Sequence, residues 1–290
     1  MEIRPFTPSL LGAVLLLSGT AMQAAEAAPV FAVSSYTADV VFSDASALEQ
    51  TRMTISFDGT SYFSASGGSN SGPRVAQFAA DGSLIDTYSP GLDLRSVFTN
   101  GGHEIFARQY DDSTIYKQTS PGSFSAQLTL SGNPLDEQSA VVLNRNGQFV
   151  AMADGLVSLW DGNGQALSTF ALAGFGSQND EGGYPANRGI AAVGDHLFTY
   201  SAGIVSAWDY SGQRVDSATL VDAGTRFDSY FSFSYANGRF FVLDDANGAW
   251  RGYDAGLGSD VAPVPLPASV LMMGGALVAL GLRRRTAARH

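Results

Sequence analysis

Acidic side chains recur at one kind of place in this chain: Glu49, Asp93, Asp136 with Glu137, and Asp228 each lie in a loop shortly ahead of an apolar run. The longest such loop, residues 173–188, carries Asp180, Glu181, Tyr184 and Arg188. Carboxylates that converge could hold a cation, or two at a defined separation could hydrolyse a glycosidic bond. Arg95, Arg188 and Arg226 permit the opposite outcome, in which the acids are paired, or in which arginine and Tyr184 bind and stack on a sugar. The candidate ligand-binding set is therefore Asp93, Arg95, Asp136, Glu137, Asp180, Glu181, Tyr184, Arg188 and Asp228.

No residue is assigned a catalytic role. The absence of cysteine removes thiolate nucleophiles, thiolate metal sites and disulfides together. His103 and His196 sit beside hairpin turns and His290 near the end, a spacing that gives no metal-ligand pair. "DGNG" at 161–164 starts like a calcium loop, but Leu172 stands where the twelfth-position Glu belongs. With no nucleophile elbow and no phosphate loop either, neither a metal nor a cofactor is expected.

The elements that position these loops follow from a repeat. Glycine-containing turns centred on Gly59, Gly101, Gly147, Gly194 and Gly238 are separated by 42, 46, 47 and 44 residues. Second turns follow at Gly82, Gly122, Gly164, Gly212 and Gly256, preceded by Phe78, Tyr116, Trp160, Trp208 and Tyr253. "VSLWDGNGQ" at 157–165 returns as "VSAWDYSGQ" at 205–213. A third turn, as at Asp154-Gly155, Ala202-Gly203 and Asn247-Gly248, makes four strands per unit; in the third unit these are 140–144, 148–153, 156–161 and 166–172.

Four-stranded units of this length are what a β-propeller stacks around a channel. The expectation is an all-β, five-bladed propeller, with a β-sandwich or β-solenoid as the competing architecture. The fifth unit lacks a fourth strand, so "FAVSSYTADVVF" at 31–42 is expected to supply it and close the ring. Trp160-Asp161 and Trp208-Asp209 are similar to the WD pair of WD40 repeats without its Gly-His partner, which leaves the aromatics as packing between blades.

The ends read as addresses. Residues 1–27 have Arg4, the apolar run 10–17 and an Ala25-Glu26-Ala27 cleavage site, the order of a signal peptide. The domain then spans 28–260, and 261–290 form a tail. From Val264 to Leu282 there is no charge, after which come Arg283, Arg284 and Arg285. A transmembrane helix here would leave its arginines in the cytoplasm. Pro265 and Pro267 keep its start near Ala268, leaving about 15 residues or roughly 22 Å, short for a permanent span.

Val264, Pro265, Leu266, Pro267 and Ala268, followed by the apolar helix and the arginine cluster, resemble the VPLPA variant of the PEP-CTERM sorting signal. An ordinary membrane anchor is the alternative. The resemblance implies a precursor held in the inner membrane, an exosortase-type processing protease as partner, and final placement at the cell surface or outside, in an exopolysaccharide or biofilm context. It covers the tail alone.

Between residues 29 and 260 there are 25 Asp and Glu against 11 Lys and Arg, a balance of about −14 that disfavours nucleic acid as a partner. The function expected is that of a non-enzymatic exported surface or matrix protein whose propeller binds a polymer or a protein. The alternative is a secreted polysaccharide-active hydrolase or lyase using the loop carboxylates.

Overall fold

A computed structural model describes residues 28–44, 48, 51–68, 72, 74–101, 103–175, 188–224, 231–244 and 246–258. The expected signal peptide at 1–27 and the sorting tail at 261–290 lie outside the described residues. Alternating apolar positions broken every five to eight residues by a turn give short antiparallel strands, grouped into five sheets.

Two N-terminal strands precede the first blade and belong to other sheets. Those are β1 (Ser35–Thr37) and β2 (Val40–Ser43). Blade 1 is β3 (Arg52–Phe57), β4 (Ser61–Ser66), β5 (Val75–Ala79) and β6 (Leu84–Tyr88). Blade 2 is β7 (Leu94–Thr99), β8 (Ile105–Gln109), β9 (Thr114–Ser120) and β10 (Ser123–Thr129). Blade 3 is β11 (Val141–Leu143), β12 (Phe149–Ala153), β13 (Leu156–Trp160) and β14 (Ala166–Ala171). Blade 4 is β15 (Ala191–Val193), β16 (His196–Ser201), β17 (Ile204–Trp208) and β18 (Arg214–Val221). Blade 5 has β19 (Ser234–Ala236), β20 (Arg239–Asp244) and β21 (Ala249–Asp254).

The outer strand of blade 5 is β2, antiparallel to β21 with Phe42 opposite Trp250, so the N-terminal segment does close the ring. Its first half behaves differently from the single strand expected over 31–42. β1 pairs in parallel with β18, Tyr36 opposite Leu220, and adds a fifth strand to blade 4. The break falls at Ala38-Asp39, where the Asp39 carboxylate is gripped by Arg239 with nitrogen–oxygen distances of 2.6–3.0 Å. One segment therefore spans two neighbouring blades.

Five hydrophobic clusters fill the five seams between blades. Trp160 packs with Phe98, Ile115 and Leu130 of blade 2, and Trp208 with Val150, Met152 and Leu159 of blade 3. Phe78 meets Phe42, Phe241 and Trp250 of blade 5, while Tyr253 meets Phe198 and Tyr200 of blade 4. Tyr116 lies against the remaining cluster, which includes Phe63 and Val75 of blade 1. The aromatic ahead of each second turn thus packs on the preceding blade, the arrangement the repeat predicts.

That packing demands glycine where the turn touches the preceding blade. Gly164 and Gly212 have φ of 80° and 84°, and an added Cβ would lie 2.5 Å from the Thr129 carbonyl oxygen and 2.2 Å from that of Ala171. At the axis, hydroxyls join inner strands that share no ladder. Thr54 Oγ1 donates to the Val97 carbonyl, and Ser96 and Ser234 accept from the amides of Val141 and Ile55. The channel they surround holds only about 50 Å³, too little for a ligand larger than a few waters.

Candidate functional site

The inter-blade loops bring four of the expected residues together in one chain of ion pairs. Asp93, between β6 and β7, accepts from the Gly68 amide at 2.8 Å, from Arg74 at 3.2 Å and from Arg95 at 2.7 Å and 3.3 Å. Arg95 is the second residue of β7 and is buried. Its Nε donates to Gln138 Oε1 at 2.6 Å and its guanidinium lies 4.7 Å from the centre of the Tyr110 ring. The Gln138 amide donates to Asp136 Oδ1 at 2.9 Å, and Arg188 grips the same carboxylate through Nε at 2.7 Å and Nη2 at 3.3 Å. The sequence Arg74, Asp93, Arg95, Gln138, Asp136, Arg188 runs without a gap from blade 1 to the entry of blade 4.

Such paired carboxylates are spent as chemistry. An acid that already takes two or more charge-assisted bonds must give them up before it can move a proton or hold a cation. Glu137 is exposed; its side chain bonds the Tyr110 hydroxyl, which is raised above the usual phenol range chiefly by that bond. Among the described residues no three of His, Asp and Glu come together as a cation would require. Asp180, Glu181, Tyr184 and Asp228, like Glu49 and Arg226, lie outside the described residues.

Three further charged residues, two beside the ion-pair chain and one at the closing seam, were not singled out by the sequence. Arg108 on β8 is 1% exposed and donates to the carbonyls of Asp112, Glu137 and Ser139, each at 2.8 Å. Burial pulls its guanidinium down to about 10, so it stays charged at neutral pH. It pins the loop that carries Asp136 and Glu137. Burial opposes ionisation of Asp112, but bonds from Gln109, Tyr116 and Thr114 prevail and hold it at about 2. Asp44, fully buried at the closing seam, accepts from Arg52 at 3.0 Å, Ser64 at 3.0 Å and Trp250 at 2.8 Å. The signals for these were present but faint: Arg108 interrupts the apolar strand "IFARQ", and Asp44 directly follows the closing strand.

The chain is a five-bladed β-propeller. No protein-family model and no curated protein matches it. Among solved structures it is similar to the glutaminyl cyclase of Myxococcus xanthus, with a TM-score of 0.51 and 11% identity over 76% of this chain and 97% of that one. It is also similar to a protein of unknown function from Bacteroides thetaiotaomicron, with a TM-score of 0.47 and 12% identity over 71% of this chain and 69% of that one. BamB from Moraxella catarrhalis follows at a TM-score of 0.34 and 13% identity over 72% and 60%. At these identities the likeness is one of fold, and the site must speak for itself.

Proposed function

We propose that this chain is an exported protein of the cell surface or extracellular matrix whose propeller serves as a binding module. The observation that carries the binding half is the state of the loop carboxylates. Asp93 and Asp136 are locked to arginines across three loops, which makes the face rigid and leaves these two acids unsuited to proton transfer. A rigid face with its own charges paired is suited to recognition, because little ordering entropy is lost on binding.

Delivery rests on the sequence alone. The signal-like N-terminus and the VPLPA tail with its arginine cluster support transient anchoring in the inner membrane, processing by an exosortase-type protease and release to the surface. An exopolysaccharide matrix is the setting this implies.

The experiment is to follow the full chain in its host by fractionation and surface proteolysis. A variant carrying Pro265→Ala, Pro267→Ala, Arg283→Gln, Arg284→Gln and Arg285→Gln should stay in the membrane fraction while the unaltered chain reaches the surface. Identical distributions would overturn the delivery. The binding half is tested separately by incubating the surface-released protein with host exopolysaccharide: depolymerisation that Asp93→Asn and Asp136→Asn abolish would establish the hydrolase or lyase instead.

A further inference from the structure

The loop from β10 to β11 crosses the surface of blade 3 that faces blade 2, held there by Asn133 donating to the carbonyls of Leu159 and Ser168 and by Ser139 donating to that of Met152. Between loop and blade is an open cleft of about 350 Å³. Pro134 and Leu135 form one wall, and Ala151, Ala153, Leu156 and Ser158 the other. Two of the blade 3 wall residues, Ala151 and Ala153, are smaller than their counterparts in blade 4, and the other two are matched in size. The same positions 48 residues later carry Thr199, Ser201, Ile204 and Ser206, and there Thr199 is engaged by Trp208 while Phe175 lies 6.1 Å from the Trp208 ring.

We propose that this cleft takes a branched aliphatic side chain of a basic protein segment. The inference rests on the binding reading above and names its partner class. The size is suitable, since a cavity of roughly 150 Å³ accepts benzene and ligand sites begin at about 300 Å³. The walls are mainly aliphatic. No aromatic ring lines them, and their polar groups are largely spent: Ser139 on the Met152 carbonyl, Asp136 on Arg188 and the Gln138 amide. A pyranose would lose hydration there and regain few hydrogen bonds, whereas a leucine or isoleucine side chain has nothing polar to lose.

The rim supplies the charge preference. With Asp136 paired to Arg188, the rim charge comes from Glu137, exposed beside the cleft, and from Asp111, also exposed and donating its amide to the Glu137 carbonyl at 3.3 Å. Asp154 adjoins Ala153. The nearest arginines, Arg108 and Arg188, are 1% and 8% exposed and present little positive charge outward. A partner with lysine or arginine flanking its aliphatic side chain is therefore drawn in.

The test titrates the mature protein with three capped tripeptide amides, Lys-Leu-Lys, Lys-Gly-Lys and Glu-Leu-Glu, while following the methyl signals of Leu156, which lines the cleft, by NMR. Lys-Leu-Lys should bind at least about tenfold more tightly than either control, the discrimination expected for one aliphatic side chain in a fitted pocket. Ala153→Leu, at the mouth of the cleft, should reduce that affinity by about tenfold, and Glu137→Lys by several-fold with a weaker salt dependence. Glu137→Lys fills no space, so it remains informative if Ala153→Leu lowers stability. Equal binding of Lys-Gly-Lys, full affinity in both variants, or no saturation by roughly 10 mM would overturn the proposal. A protein that reaches the surface yet ignores these peptides loses the cleft and keeps its delivery. A protein that fails to reach the surface yet binds them keeps the cleft.

Discussion

Blades 3 and 4 share a stretch that is nearly the same letter for letter, and the same register follows from it: Ala151 opposite Ser158 in one, Thr199 opposite Ser206 in the other, with a bulge just before each tryptophan. Asp161 and Asp209 close their turns alike, each accepting two backbone amides at 2.8–2.9 Å. The departures are few. Trp208 donates its indole N–H to Thr199 at 2.9 Å, whereas Trp160, with Ala151 in that place, has a buried N–H without a partner. Blade 4 carries β1 as a fifth strand, while among the described residues no strand pairs with the outer edge of β14 in blade 3. Blade 3 has the cleft. The shared residues build a blade, and the departures decide what each blade is used for.

The covered edge should show the largest effect. Phe31, 5% exposed, leads β1 into the seam cluster and packs on Phe198 and Phe240, and its amide donates to Asp216 at 2.9 Å. Phe31→Ala should cost about 3 kcal/mol in urea unfolding, with hydrogen exchange accelerated in β18 before β14. Leu167→Ala on the uncovered strand should cost less than about 0.5 kcal/mol, since Leu167 is half exposed. Equal costs would mean that β1 is not part of the folded ring.

The turn that blade 4 presses onto blade 3 comes next. Gly212→Ala combines a left-handed residue with a backbone clash and should cost about 2–3 kcal/mol, measured the same way. Gly194→Ala, at a positive φ with nothing within 4 Å of the added carbon, should cost about 1 kcal/mol. If the two cost the same, the contact with the Ala171 carbonyl is not tight.

The indole difference can be exchanged between the blades. Thr199→Ala should orphan the Trp208 N–H and cost about 1–2 kcal/mol, while Ala151→Ser should give Trp160 an acceptor and add about 1 kcal/mol. Chemical denaturation of both variants tests the pair, and a destabilised Ala151→Ser would show that the seam has no room for the hydroxyl.

This pair also marks what the sequence disclosed. Trp160 and Trp208 were legible as seam fillers because each precedes a turn at a fixed period. The five-blade ring was legible because the fifth unit lacked a strand that 31–42 could provide. What alternation could not reveal was which sheet edge each half would meet: an extended segment looks alike whether it pairs in parallel with β18 or antiparallel with β21. Asp93, Asp136 and Arg188 stood out because they lie just ahead of inner strands; Arg95, read as a loop residue, lies inside β7. The mutual pairing of the four did not stand out, since it joins segments 43 and 52 residues apart. Gln138, the link between them, carries no charge to attract notice, and the cleft has Ala151 and Ala153 in its wall, small residues that attract none either.

The smallest effect lies where the N-terminal segment passes from blade 4 to blade 5. Asp39 is held below the usual carboxylate range, first by its bonds from Arg239, with burial opposing and the guanidinium charge adding to the effect. A carboxyl whose folded value is depressed contributes its stability above the unfolded value, near 4, and loses it as pH falls through the folded one. With the Asp39 side chain 41% exposed, the pair is worth no more than about 0.5–1 kcal/mol after screening. Between pH 6 and pH 3 the amides of β2 should therefore lose protection relative to those of β10, the outer strand of blade 2, whose hairpin turn at Pro121-Gly122 carries no titratable side chain. Asp39→Asn should remove that difference in pH dependence. If β2 and β10 lose protection in parallel in the unaltered protein, acid acts on the ring as a whole and the clasp between blades 4 and 5 is not what yields first.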